Sequence, residues 1–535
     1  MSRRAWLAAL AVLAIALIVR LYALELRPPH HDEGVNGWFV ERMHADGYYR
    51  YDPTNYHGPT YFYLLWAARE ALGFGLWQLR LPGALIGGLL CLAPVILRRR
   101  LGATRTLAAC ALLASSPSLV YYARYAIHET LLAALGLVVA AAVLRWSDRG
   151  RLRWLVVAAA ALAGMIATKE TTVLFVAVAG LWLCGEVAVE SRRARALVVL
   201  GRPARWSWRV AAGGAAVVAV MAAVHVVLFT GLFRTPGSIA GQLERSLDAY
   251  RLWANTGTAH GGHVKPWCYY AHLGARYELA LYLLAAVGMV AGFRERWIRG
   301  PGLVGFGLAG AYSLVAYKMP WLPLGWLALL AIPAAHGTLV AGRVLRAELS
   351  GRLGAGAALV AAVTVALAIT ARSSFVSPAS PREDLAYVHT APDYREWFGI
   401  IERAGDRIGR ANLRIAVTHS ANWPLAWALL PYPHTTWTAS GDEDVIIAPI
   451  EQAAELEPRL RHAYLRRQYQ IRDSSGPAYV YIRRALYARE LIHHTLGPGA
   501  GFTAVGGHGP AAGGPAAGGP LTGTPAAGGL SAGTR

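Results

Sequence analysis

The chain alternates long apolar blocks with short arginine-rich stretches. About eleven blocks stand out, near 5–24, 80–97, 104–121, 127–144, 154–168, 171–187, 210–230, 278–293, 301–317, 321–342 and 354–371. Each approaches the length needed to cross roughly 30 Å of hydrocarbon at about 1.5 Å per residue. They predict an all-α polytopic membrane domain over residues 1–372. Residues 59–74 are apolar but too short to span and carry Arg69 and Glu70, so they read as an amphipathic helix lying on the outer interface.

The arginines set the orientation. Arg3 and Arg4 precede the first block, Arg98, Arg99, Arg100 and Arg105 follow the second, and Arg145, Arg149, Arg151 and Arg153 follow the fourth. The clusters after the sixth, eighth and tenth blocks fall on the same side. If that side is cytoplasmic, the N-terminus is inside, and loops 25–79 and 231–277 face outward. The first block then reads as an uncleaved anchor in a multi-pass protein of the plasma membrane.

Past the last block the pattern changes. Residues 373–498 predict an extracytoplasmic α/β domain, with a helix in DYREWFGIIERAGDRIG and strands in LRIAVT, DVIIAP and AYVYIRRAL. Residues 499–535 repeat Gly, Pro and Ala and predict a disordered tail.

Of 535 residues, 16% are charged, against about 25% in soluble domains. The net charge of +21 is accounted for by the arginine clusters, and no nucleic-acid-binding motif accompanies it, so the lipid bilayer is the expected partner and nucleic acid is not. Cys91, Cys110 and Cys184 lie in apolar blocks and Cys268 stands alone, which excludes a disulfide framework or a CxxC metal site.

Lysine is nearly absent: only Lys169, Lys265 and Lys318 occur, all on the predicted outer face. Lysine offers a compact charge for a phosphate, although near a span end it also snorkels to the interface. The adjacent carboxylates in PPHHDEGVNGWF are Asp32 and Glu33. Asp32 is either a helix N-cap or a carboxylate for substrate and proton transfer. His30 and His31 beside it are a weaker alternative as metal ligands, and His260 and His263 sit in a glycine-rich loop. Beyond that, the sequence calls for no cofactor and leaves a divalent metal open. Glu129 at a span start reads as structural or paired with Arg124 rather than catalytic, whereas the Lys169–Glu170 pair places charges at a span end, where they are costly without a purpose. Trp38, Tyr61 and Tyr63 serve equally as interface anchors or sugar platforms.

In order, the motifs are HHDEG, HGPTYFYLLWAAREALGFGLWQLRLPGALIGGL, YYARYAIHET, ATKETT and AYKMPW. This series, over about residues 5–340, resembles the GT-C glycosyltransferase superfamily, which includes protein O-mannosyltransferases and the aminoarabinose transferase of lipid A. The resemblance implies transfer of a sugar, with inversion, from a polyprenyl-phosphate donor to a glycan, lipid or protein acceptor. It implies Asp32 as base with Glu33 in support, and substrate contacts among His57, Tyr61, Arg80, Arg124, Glu129, Lys169, Glu170, Lys265 and Lys318. One departure is that His57-Gly58-Pro59 stands where the aminoarabinose group commonly has a lysine, which leaves the phosphate to Lys169, Lys318, Arg124 or Arg80. HDEGVNGWF and AVTHSANWPLAWALLPYPHTTW further resemble a smaller family associated with flipping lipid-linked oligosaccharides. That likeness implies an alternative, a non-catalytic partner in flipping or assembly. A transporter would show inverted repeats and mid-span charges, and neither is visible.

Overall fold

The computed structural model describes residues 2–55, 57–198, 208–258, 263–348, 354–420, 422–472, 475–487, 502–506 and 521–522. His260 lies outside them. The chain forms two compact units. One contains Met1–Leu24 and Phe39–Ser377; the other contains Glu25–Trp38 and the chain from Pro378. The break between them falls at Ser377–Pro378. Residues 25–38, expected with the membrane domain, instead count with the second unit.

The first unit is helical. Its helices are α1 (Arg3–Leu21), α2 (His31–Asp46, whose first half belongs to the second unit), α3 (Pro59–Leu72), α4 (Leu76–Leu90), α5 (Arg98–Ser115), α6 (Pro117–Ala123), α7 (Glu129–Arg149) and α8 (Leu152–Ile166). There follow α9 (Thr172–Val198), α10 (Trp208–Phe229), α11 (Ile239–Thr258), α12 (Tyr269–Tyr277), α13 (Leu279–Ala291), α14 (Arg296–Leu314), α15 (Leu324–Glu348) and α16 (Gly354–Ala371). Most apolar blocks of the sequence fall on one helix each, but 80–97 runs from α4 through a turn into a 3-10 helix (Ala93–Leu97), and 104–121 crosses the break at Ser116 between α5 and α6. By length and composition six described segments can cross a membrane, or seven if the pair α12–α13, bent by 101°, is one span. Helices α8 and α10 are apolar but shorter.

Helix α15 is the centre of this unit. Residues from Leu324 to Ala335 are apolar around most of the helix and almost wholly buried, as expected for a helix enclosed by others. It packs against α5, α7, α13, α14 and α16. The crossing with α13 depends on glycine. A Cβ at Gly288 would lie 1.8 Å from the Pro333 carbonyl oxygen, and one at Gly337 would lie 1.9 Å from that of Leu284. Small residues let apolar helices approach this closely.

The charges inside the amphipathic helix α3 also find partners. Arg69 donates to both oxygens of Glu41 at 2.6 and 3.0 Å, and His44 Nδ1 lies 2.6 Å from Glu70. Two adjacent charges on α3 thus fasten it to the second half of α2.

The second unit carries the expected helix, α17 (Tyr394–Ile408), and a six-stranded sheet ordered β2-β1-β4-β6-β5-β7. The strands are β1 (Arg414–Val417), β2 (His434–Thr436), β3 (Thr438–Ala439), β4 (Val445–Pro449), β5 (Ala463–Gln470), β6 (Pro477–Arg483), β7 (Thr503–Gly506) and β8 (Leu521–Thr522). β1 runs parallel to β2 and β4, and the other pairings are antiparallel. Ala416, Ile446, Ala448, Leu460, Tyr464 and Tyr481 form a core against it. The expected tail is corrected at two places: β7 pairs with β5 and β8 pairs with β3.

Gly337→Ala forces α13 and α15 apart. Its expected cost is about 1–3 kcal/mol, the usual penalty for overpacking, read as a lower melting temperature in detergent. Gly310→Ala in α14, where an added Cβ meets nothing within 4 Å, is expected to leave it unchanged or raise it.

Candidate functional site

In the second unit, the acidic pair opens α2 and its members do different things. The N-cap is His30, not Asp32. The His30 Nδ1 accepts from the Asp32 backbone N–H at 3.0 Å, so its proton sits on Nε2, which donates to the Tyr387 carbonyl at 2.9 Å. Burial, opposed by that last bond, holds the imidazole well below its usual pKa, hence neutral. The wholly buried Glu33 reaches back to accept from the His30 backbone N–H at 2.9 Å, completing a capping box. The Asp32 side chain stays 39% exposed. Both ring nitrogens of His30 are engaged within the protein, and among the described residues no three His, Cys, Asp or Glu side chains are grouped to hold a metal ion.

The NWPLAW segment packs on this helix. A Cβ at Gly34 would lie 2.6 Å from Pro424 Cα, and one at Gly37 would lie 2.6 Å from the Trp427 ring. Trp423 meets His31 at 6.2 Å and Trp38 at 6.5 Å between ring centres. Arg472 donates to His31 Nδ1 at 3.1 Å and to the Trp423 carbonyl at 2.7 Å. Two sequence motifs about 390 residues apart therefore build one surface around Asp32. Arg472 was not foreseen, because it lies in an arginine-rich strand end with no motif of its own.

In the first unit, HGPT and ATKE are joined through their backbones. Gly58 N donates to the Thr168 carbonyl at 3.1 Å, and Thr60 donates through N and Oγ1 to Ala167 at 2.9 and 2.8 Å. A Cβ at Gly58 would strike the Ala167 carbonyl at 2.3 Å, so glycine is required there. This join brings together His57, Tyr61, Glu129, Lys169 and Glu170, with His128, which the sequence did not single out. Lys169 Nζ donates to Glu129 in a buried ion pair. His57 Nδ1 lies 3.5 Å from Glu170 Oε2. The rings of His57 and Tyr61 lie 4.5 and 5.0 Å from that of His128. Burial and the Lys169 charge push both histidines well below their usual pKa, so both are neutral. Three buried atoms here, His57 Nδ1, His128 Nε2 and Glu170 Oε2, have no hydrogen-bond partner.

The remaining candidates fall into two other groups. Arg124 donates to the carbonyls of Val19, Arg20, Tyr22 and Ala23 at 2.6–3.1 Å, and Arg80 to that of Leu24 at 2.8 Å. Arg124 caps the end of α1, and Arg80 holds the turn that follows it. Lys265 and Lys318 sit on a two-stranded join, where Val264 bridges Tyr317 and Lys318 Nζ donates to the carbonyls of Lys265 and Val315.

The structure resembles crystal structures of ArnT from Cupriavidus metallidurans. The apo form gives a TM-score of 0.57 at 14% identity over 91% of this chain and 100% of that one. The form bound to undecaprenyl phosphate gives 0.56 at 15% identity over the same shares. The family model of dolichyl-phosphate-mannose-protein mannosyltransferases matches residues 56–202. The chain has the GT-C glycosyltransferase fold. No curated protein matches its sequence. The family match begins one residue before His57 and takes in Lys169, so it covers the whole of the joined HGPT–ATKE cluster.

Glu170 gives this cluster a pH signature. It lies in the turn between α8 and α9, where burial raises its pKa from 4.5 to about 8. Below pH 4.5 the carboxyl is protonated whether the chain is folded or not. Between 4.5 and 8 only the unfolded chain releases the proton, so stability falls as pH rises through that window and levels off above it. Glu170→Gln cannot ionise. Its melting temperature is expected to match wild type near pH 4.5 and to exceed it increasingly towards pH 8; parallel curves would contradict this.

Proposed function

We propose that the protein transfers a sugar from a polyprenyl-phosphate donor to an acceptor hydroxyl on the extracytoplasmic face of the plasma membrane, with Asp32 as the base. The observation that carries this is the division of labour at the start of α2. His30 and Glu33 make the caps, and the neighbouring carboxylate of Asp32 remains accessible to a ligand. Glu33 is thereby a positioning residue that fixes the first turn.

The chemistry needs one base. The acceptor oxygen bonds to the anomeric carbon as the bond from that carbon to the phosphate oxygen breaks, with inversion. The acceptor proton passes to Asp32, and polyprenyl phosphate departs as a stable anion without protonation. General-base assistance of this kind contributes about 10²–10⁴-fold. Cations meet the departing phosphate. The resemblance offers Lys169, Lys318, Arg124 and Arg80 for this. The undecaprenyl phosphate bound by a protein of the same fold supports a donor of this class. The arginine clusters support a cytoplasmic N-terminus.

The test is sugar transfer in membranes holding equal amounts of wild type, Asp32→Asn and Glu33→Gln, supplied with labelled polyprenyl-phosphate sugars. Asp32→Asn is expected to lose at least about a hundredfold in rate. Glu33→Gln is expected to lose about 1 kcal/mol of stability while keeping most of its turnover when folded. Wild-type transfer matched by Asp32→Asn overturns the mechanism. Donor binding without transfer by wild type establishes the accessory reading instead.

A further inference from the structure

The first unit holds a second charged site, at the other end of its helices from Lys169. A cavity of about 320 Å³ is lined by Arg98, Arg99, Arg145, Arg153, Trp154 and Val157. Arg98 and Arg99 open α5, Arg145 lies near the end of α7, and Arg153 and Trp154 open α8, so three helix ends meet there. Glu129, which pairs with Lys169, begins α7, and Arg145 lies sixteen residues further along it, which separates the two sites by about 24 Å. The cavity is therefore no part of the site described above.

Its charge is unbalanced. Four guanidinium groups line it and no carboxylate does. Beside it, the buried Asp148 side chain is shared between Arg100 and, at 3.6 Å, Arg145. Arg145 is only 5% exposed. Arg145 and Arg153 both lie over the Trp154 ring, at 5.4 and 5.6 Å, so one aromatic face gathers two like charges. Like charges gathered at a partly buried site repel unless an anion joins them. The adjoining wall is apolar, with Leu152 and Val157 exposed at 47% and 37% on α8. A phosphate fits the guanidinium groups. An acyl chain fits the wall.

We infer that this pocket binds the phosphate of an anionic phospholipid in the leaflet where α5, α7 and α8 end. Basic pockets between membrane helices take such headgroups, at about 1 kcal/mol per arginine. The inference is independent of the reaction proposed above. Free phosphate shares the headgroup chemistry, and only the acyl contacts separate the two sources.

The experiment titrates the detergent-solubilised full chain with phosphatidylglycerol, phosphatidylcholine or inorganic phosphate, and counts bound lipid by native mass spectrometry. Wild type is expected to retain phosphatidylglycerol and not phosphatidylcholine, with inorganic phosphate a poor competitor. The exposed pair Arg99→Gln/Arg153→Gln is expected to bind phosphatidylglycerol about 25-fold more weakly, about 2 kcal/mol at 1.4 kcal/mol per tenfold. Lysine at both positions restores most of the loss. Arg251→Gln, on exposed α11, removes a charge elsewhere and is expected to change nothing. Equal retention by the glutamine pair overturns the site. Competition by inorganic phosphate as strong as by lipid overturns the lipid assignment.

Discussion

A polar group at the end of an apolar helix has to be satisfied from within the protein, and most of this molecule's buried chemistry follows from that requirement. The end of α1 shows it directly: its carbonyls and those of the turn after it are taken by Arg124 and Arg80 from distant parts of the chain. The start of α2 shows it again, with an imidazole and a carboxylate closing the first turn. The α8–α9 turn is closed by the HGPT segment and by the Lys169–Glu129 pair. Removing one partner of such a buried pair typically costs about 3–5 kcal/mol. Two features of these ends are correspondingly informative: the Asp32 side chain is 39% exposed, and buried atoms of His57, His128 and Glu170 make no hydrogen bond.

The requirement also sorts the cations by job. Arginine has a planar fork with five donors and can serve several carbonyls at once, which suits Arg124. Lysine concentrates its charge at one point, and Lys169 and Lys318 sit in turns rather than within helices. The pocket at the opposite helix ends gathers guanidinium groups with too few carboxylates to balance them. One end of the bundle thus holds a nearly neutral cluster, and the other holds a strong surplus of positive charge.

Much of the architecture was legible because membrane helices are written in long runs. Most of the apolar blocks are single helices, and the strands at LRIAVT, DVIIAP and AYVYIRRAL are β1, β4 and β6. Strand β5 was not legible: Arg466, Arg467 and Gln468 interrupt any alternation, and only Tyr464 and Tyr469 are buried on it. Strand β7 was hidden in a stretch whose composition suggests disorder. In the site, the residue types were visible and the partners were not. Asp32 is a good N-cap by type, yet His30 takes that place because its ring is buried against Tyr387, a contact no local pattern reveals. His128 lay in a quoted motif but gained meaning only when the HGPT turn brought His57 against it.

The central claim is that the protein moves a sugar off polyprenyl phosphate. The most direct measurement is a mass balance with purified full-length protein, a polyprenyl-phosphate sugar and an extract of membrane acceptors. The account predicts that free polyprenyl phosphate appears in step with glycosylated acceptor, one for one, and with inverted configuration at the anomeric carbon. Donor lipid that is bound and recovered unchanged, across donors of differing sugar, would contradict it.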